Sequence, residues 1–254
     1  GHNGSVLTRQ GEEFMKYAGT LRRTLEHLSN LGDEEDTKRL SVLSYQYAFV
    51  ENAFLHLCKE YIPSPKKMEF KLRFIDKLDD ISDRLEQNDA DIAIGICREV
   101  LFGAFNNSFR LKGLVTESLC SMPLHVTVSK KHPLAKVKQV RIDEFLPYPC
   151  LASIGYNRPN DYACHAVTDY APFLRKTIYL DPGEARVRLA SETDGFIIST
   201  PYLKETLEQY DLIGKPIPDS NVRFFSVCCD ERQHDPLLIR FMELLRNEVN
   251  MLSV

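Results

Sequence analysis

Three features of the sequence predict an α/β fold. Strand-like and helix-like hydrophobic patterns alternate along most of the 254 residues. The segment from Asp91 to Cys97 is almost entirely apolar, which is typical of a strand covered on both faces in a parallel sheet. Hydrophobic residues make up 43% of the chain and charged residues 27%, which is ordinary for a globular protein with one large domain or two modest lobes.

The first α/β stretch covers residues 39–97. A buried strand is predicted from Arg39 to Ser44, followed by a helix from Gln46 to Tyr61 with an apolar side. Alternation over residues 68–74 indicates a second strand, and a short helix is predicted over residues 77–87. Together with the strand that ends at Cys97, the order is βαβαβ. This lobe should therefore contain a mostly parallel sheet with helices on both faces.

A second α/β stretch is predicted in the C-terminal half of the chain. Strands are expected over residues 124–129, 149–154, 177–181 and 195–200, with a helix over residues 183–190. The chain then ends with a strand over residues 223–229 and a long helix over residues 236–252.

The N-terminal residues predict a separate amphipathic helix over residues 8–29, with Thr8 as a suitable N-cap. A narrow apolar stripe follows alternating three- and four-residue steps through Leu7, Phe14, Ala18, Leu21, Leu25 and Leu28. The stripe fits a coiled-coil seam between two chains and equally an ordinary helix packed on its own domain. The first five residues resemble a tag remnant, and residues 30–36 form a polar linker.

Charge, cysteine content and hydropathy exclude several classes of protein. The net charge of −4 argues against direct DNA binding by these residues, because nucleic-acid-binding domains are usually basic. The seven cysteines include no CxxC pair and are expected to be scattered buried thiols in a reducing compartment. No secretory signal or membrane-spanning apolar run is present, so a cytoplasmic protein without a membrane partner is expected.

No catalytic or metal site is predicted, and no cofactor is expected. Cys228 and Cys229 are adjacent and point to opposite faces of a strand, which is poor geometry for chelation even with His234 nearby. Cys164 and His165 are a neighbouring thiol and imidazole without an evident third group to orient them. The chain is therefore not expected to be an enzyme.

Five short motifs occur in a fixed order along the chain. They are Leu7 to Phe14, Asp89 to Gly95, Lys131 to Ala135, Ile142 to Phe145 with Pro149, and Gly195 to Pro201. In order and spacing these motifs resemble the "LT..G..F", "G.LDLAI", "HPLA", "..DL...P.I" and "G.GI.ILP" segments of the LysR-type bacterial transcription regulators.

The resemblance implies two Rossmann-like lobes of the type II periplasmic-binding-protein kind, joined by two crossing strands and preceded by a linker helix. Residues 38–130 with 223–254 would form lobe I, residues 131–222 would form lobe II, and residues 1–37 would hold the linker helix. The function implied is effector sensing by a homodimer or homotetramer that reaches DNA only through a domain before residue 7. A transport solute-binding protein of the same fold is the alternative, and the apolar stripe and free cysteines argue against it.

A ligand is expected beyond the carboxyl ends of the strands, where a cleft between two lobes would lie. Ser44, Tyr45 and Gln46 close the first strand and open a helix whose first N–H groups suit a carboxylate, although Ser44 and Asp181 are equally plausible as simple helix caps. The predicted ligand-binding residues are Ser44, Tyr45, Gln46, Asp76, Lys77, Ile154, Gly155, Asp181, Pro182 and Gly183.

Two details remain open at the level of sequence. The family often has a Ser or Thr pair after the first strand, whereas Tyr45 and Tyr47 flank Gln46 here, which favours a larger or aromatic effector. One branch of the family senses peroxide through a cysteine pair in the second lobe. Cys150 and Cys164 lie in that lobe, and only thiolate character and exposure would make them reactive.

Overall fold

The computed structural model describes residues 37–75, 79–153, 175–180 and 183–252, together with isolated positions before residue 19. Among those isolated positions, Gln10, Gly11, Phe14 and Ala18 have helical backbone. The Thr8 hydroxyl accepts a hydrogen bond from the Gly11 N–H at 3.1 Å. Thr8 therefore acts as the N-cap that the sequence predicts.

Strands and helices alternate through the described residues. The strands are β1 (Thr37–Ser44), β2 (Lys67–Phe74), β3 (Ile92–Arg98), β4 (Leu114–Ser129), β5 (Cys150–Ser153), β6 (Thr177–Leu180), β7 (Ile197–Ser199) and β8 (Leu212–Cys229). The helices are α1 (Ala48–Tyr61), α2 (Asp79–Glu86), α3 (Phe102–Leu111), α4 (Ile142–Phe145), α5 (Glu184–Glu192), α6 (Lys204–Gln209) and α7 (Pro236–Leu252). Within the same residues, no helix is long and apolar enough to cross a membrane.

Six of the strands form one mixed sheet in the order β2-β1-β3-β8-β4-β7. β1 is parallel to β2 and to β3, which confirms the predicted βαβαβ unit. Beyond β3 the sheet continues antiparallel through β8 and β4, so it is parallel only in its first three strands. β5 and β6 form a separate parallel pair, and a bridge between Cys150 and Phe196 lies next to β7.

β4 and β8 are the longest strands and pair with each other along most of their length. The pairing runs from Leu114 opposite Cys229 to Pro123 opposite Asn221, and resumes with His125 opposite Pro216. Near this interruption the Ser220 hydroxyl accepts a hydrogen bond from the Leu124 N–H at 3.0 Å. Past it, β4 also pairs with β7.

Successive side chains of a strand point to opposite sides, so the main sheet presents apolar side chains on both faces. Both faces are buried by helices. One face carries Leu40, Val42, Ile94 and Ile96 and packs against the apolar sides of α1 and α7. The opposite face packs against α2 and α3 and is built from a second cluster: Leu43, Ala93, Cys97, Phe225 and Val227, with Ile81, Leu85 and Phe109 of the helices.

Candidate functional site

The turn from β1 to α1 differs from the sequence prediction. The helix begins at Ala48 rather than Gln46, with Tyr47 as an extended N-cap (φ −125°, ψ 128°). The Tyr47 carbonyl accepts hydrogen bonds from the N–H groups of Val50 and Glu51 at 3.0 and 3.1 Å. The N-cap position is Tyr47, which makes no side-chain capping hydrogen bond, so the alternative in which Ser44 is merely the helix cap is wrong.

Ser44 is instead the last residue of β1. The alternation of β1 places its side chain on the face of Leu40 and Val42, which α1 covers. The residue is fully buried, and its hydroxyl has no hydrogen-bond partner within the part of the chain that the structure describes. A buried hydroxyl without a partner costs about 1–3 kcal/mol, so this is a place where a further polar group would be stabilising.

Aromatic rings line the start of α1. Tyr47 stacks on Phe49 with ring centroids 5.5 Å apart and meets Phe224 of β8 edge to face at 5.0 Å. Tyr45 is partly buried and packs against both core clusters, whereas Gln46 is exposed. Of the three residues predicted at this turn, Gln46 is therefore the one that projects into solvent.

Two further residues at this edge of the sheet were not predicted from the sequence. Phe74 ends β2 directly opposite Ser44 and is 47% exposed. Arg98 ends β3 and is exposed, on the side of the sheet that carries Ile94 and Ile96. The signal that reveals Arg98 is the alternation Ile-x-Ile-x-Arg, which ends a buried strand with a charge on the α1 side.

The residue after Arg98 is fixed from the opposite face of the sheet. Glu99 accepts hydrogen bonds from Arg223 Nε at 3.0 Å and from the Ser121 hydroxyl at 2.8 Å. Arg223 also bonds the Ser118 hydroxyl at 2.6 Å and lies 5.2 Å from the Phe102 ring centroid. The hydrogen bond from Arg223 is the main reason that the pKa of Glu99 is lowered, so this carboxylate stays ionised.

Of the other seven predicted site residues, Gly183 alone is among the described residues. Asp76, Lys77, Ile154, Gly155, Asp181 and Pro182 lie outside the described residues. Gly183 is the exposed N-cap of α5, with a φ of 132° and no side-chain hydrogen bond to the helix start. This backbone conformation favours glycine, because a side chain at positive φ is strained.

The described cysteines carry no sign of reactivity. All six are free thiols, and burial raises the pKa of Cys150 to about 12 and that of Cys228 to about 11. A thiol with so high a pKa is protonated and a poor nucleophile. Cys164 and His165 lie outside the described residues, and no group of three metal-ligating side chains occurs in the remainder.

The mixed sheet with two long crossing strands defines the type II periplasmic-binding-protein-like class of ligand-binding domain. The family model of the LysR substrate binding domain matches residues 39–250, and the chain belongs to that family. The match confirms the resemblance to the family, and four of the five motifs that indicated it lie within the matched residues. No curated protein matches the chain.

Solved structures share the fold at low sequence identity. The regulatory domain of MetR, a LysR family regulator from N. meningitidis, has a TM-score of 0.61 at 14% identity, covering 83% of this chain and 93% of that one. The BenM effector binding domain with its effector benzoate has a TM-score of 0.58 at 15% identity, covering 84% and 91%. The effector binding domain of QuiR in complex with shikimate has a TM-score of 0.54 at 16% identity, covering 83% and 96%.

Proposed function

We propose that this chain is the effector-sensing and oligomerisation domain of a LysR-type transcription regulator, and that it binds a small carboxylate-bearing molecule where β1 meets α1. The observation that carries the proposal is the buried Ser44 hydroxyl, which has no hydrogen-bond partner among the described residues and lies beside the start of α1, where the N-cap Tyr47 makes no side-chain capping bond. Benzoate and shikimate, which are bound by two proteins of similar fold, are both carboxylates.

The physical basis is the set of donors at the start of α1. The first N–H groups of a helix have no partner inside it, and the helix dipole makes this end positive. An anion at Ala48 and Phe49 would satisfy those donors, and the Ser44 hydroxyl would add a side-chain donor. Tyr45 and Tyr47 would contact the organic part of the effector, for which their rings provide apolar surface.

The far side of the site would come from the remaining predicted residues. We place Asp76 and Lys77 at the carboxyl edge of lobe I, and Ile154, Gly155, Asp181, Pro182 and Gly183 across the cleft in lobe II. An effector held between two lobes acts by a population shift, because it stabilises the arrangement to which it binds more tightly. The response would reach DNA through a separate DNA-binding domain, and the chain itself would carry out no reaction.

A thermal-shift screen tests the proposed site. Aliphatic and aromatic carboxylates should raise the melting temperature more than amines or neutral sugars of similar size. Gln46→Glu should abolish the shift caused by carboxylates, because it places a negative charge beside the anion site. Gln87→Glu is the matched control, since Gln87 is also exposed and lies in the turn after α2. Preferential stabilisation by cations, or unchanged carboxylate binding in Gln46→Glu, would contradict the site.

A further inference from the structure

We infer that Arg98 completes the anion site at the start of α1 and makes an ionised acid group a requirement for binding. The inference rests on the proposed function, which it deepens by naming the residue that makes binding depend on the charge of the effector. Arg98 lies outside the set of turns that the sequence predicted, and it comes from a different strand.

The first step is the position of Arg98 relative to the start of α1. Ile96 of β3 pairs with Phe224 of β8, and the Phe224 ring lies 5.0 Å from the ring of Tyr47, the N-cap of α1. The start of α1 therefore lies above the Ile96–Phe224 pair. Arg98 is two residues further along β3, about 6–7 Å at the usual rise of a strand, and on the same face. An arginine side chain spans such a distance, so the guanidinium can meet a ligand held at the helix start.

The second step is the local balance of charge. Glu99, the next residue, directs its carboxylate to Arg223 on the other face of the sheet, and Arg223 also bonds the Ser118 hydroxyl. Glu51 in the first turn of α1 opposes an anion at this end of the helix. The positive charge of Arg98 on β3 would offset the repulsion between Glu51 and a bound anion. Arg98 has an interaction of its own within the chain, and a guanidinium carries five N–H donors in all.

The third step is the chemistry of the group that such a site selects. A guanidinium binds a carboxylate through two parallel N–H···O bonds, and a charged acceptor makes each bond stronger than a neutral one does. The helix N–H groups would also donate hydrogen bonds to a neutral carbonyl or amide oxygen, and the helix dipole by itself favours the charged group only modestly. Arg98 therefore distinguishes an acid from the amide of the same shape.

The test measures dissociation constants for carboxylates, each paired with its neutral amide (benzoate with benzamide, for example), by isothermal calorimetry. We expect Arg98→Gln to weaken carboxylate binding about 10- to 100-fold, the effect of losing a charge-assisted pair, while amide binding stays unchanged. Arg98→Lys should retain part of the preference, since it keeps the charge without the planar fork. Arg110→Gln, on the exposed side of α3, is the matched control and should change neither constant.

The outcomes separate this inference from the proposed function. If Gln46→Glu abolishes carboxylate binding but Arg98→Gln leaves the acid-to-amide ratio at its wild-type value, Arg98 does not read the charge and the inference fails alone. If no carboxylate of the panel binds the wild-type protein, the proposed function fails and the inference fails with it. Arg98 is exposed, so the variants are expected to fold, and equal melting temperatures without ligand verify this.

Discussion

His132 is a buried residue whose hydrogen bonds fix its protonation state. Its Nδ1 accepts a hydrogen bond from the Leu134 N–H at 3.0 Å, and its Nε2 lies 3.2 Å from the Asp194 carbonyl oxygen. Nε2 must therefore carry the proton, and the ring is neutral. The ring packs against Phe145 and Tyr148, with centroid distances of 5.8 and 4.5 Å. The "HPLA" motif is thus a structural turn in this chain.

This histidine should make stability depend on pH. Burial lowers the pKa of His132 below its ordinary value of 6.5, so the unfolded chain binds more protons than the folded chain below that pH. The free energy of unfolding should fall as the pH drops from about 6.5 towards the lowered pKa of the folded state. His132→Asn should reduce this slope in urea unfolding. Part of the slope should remain, because burial also lowers the pKa of His125.

His234→Asn is the control for this pH slope, since His234 is exposed and its replacement leaves His132 and His125 in place. A slope of the same size in His132→Asn and in the wild-type protein would show that His132 does not carry the effect.

At the scale of elements, α1 and α7 pack as an antiparallel pair whose register is set by polar contacts. Near the start of α7, Arg240 binds Glu60 of α1, with Nε to Oε2 at 2.9 Å. Two turns further along α7, the buried Glu248 carboxylate lies 3.2 Å from His56 Nδ1 and accepts a hydrogen bond from Asn52 at 3.2 Å. Apolar contacts alone would allow one helix to slide along the other. The contacts of Arg240 and of Glu248 can both form at one register only.

Glu248 should therefore contribute more to stability than its neighbours on the surface of α7. Glu248→Ala should lower the free energy of unfolding by about 1–3 kcal/mol, because it removes hydrogen bonds made by a carboxylate that is 3% exposed. Glu243→Ala removes an exposed partner of Arg240 and should cost less than about 0.5 kcal/mol. Urea unfolding of both variants measures the difference. An equal loss of unfolding free energy in the two variants would mean that the buried position of Glu248 adds nothing to stability.

The bounds of the helices and strands show how much of the fold could be predicted from the sequence. Strands and helices with clear periodicity lie where expected, as β2, β3 and α7 do. The start of α1 was predicted two residues early, because Tyr47 fits the helical pattern in sequence but has extended backbone as the N-cap. α3 and the first half of β4 were missed. Gly103, Asn106 and Asn107 lower helix propensity in α3, and a register shift between Ser118 and Cys120 interrupts the alternation in β4.

The candidate site was predictable only where it is local in sequence. Ser44, Tyr45 and Gln46 were found because a strand followed by a helix is visible in the sequence. The significance of Ser44, however, depends on what surrounds its hydroxyl, and that of Arg98 depends on which strand lies beside Phe224. Contacts between strands far apart in sequence are set by sheet order, which one sequence does not reveal.

At the scale of the whole molecule, the break in pairing between β4 and β8 suggests where the boundary between the two lobes lies. Pairing stops after Pro123 opposite Asn221 and resumes at His125 opposite Pro216, and β7 joins only beyond this point. We propose that the lobes change here, some residues before the predicted boundary at residue 130 on β4 and close to the predicted boundary at residue 222 on β8. If both connecting strands pass between the lobes at this break, small changes in their backbone dihedral angles would let the lobes close around a ligand.

At the same scale, we propose that the predicted N-terminal helix pairs two copies of the chain. Phe14 lies on the predicted apolar stripe, is helical and is 68% exposed in the single chain. An exposed apolar stripe gains most by burial against a copy of itself, and twofold dimers are the commonest closed assembly. We expect light scattering to give a dimer or a higher even oligomer at tens of micromolar, about the range in which specific interfaces are populated. Phe14→Asp should shift the population towards monomer, whereas Met15→Asp, which makes the same kind of change one position outside the stripe, should not. A wild-type monomer, or equal effects of the two variants, would contradict pairing through this helix and would favour its packing on its own domain.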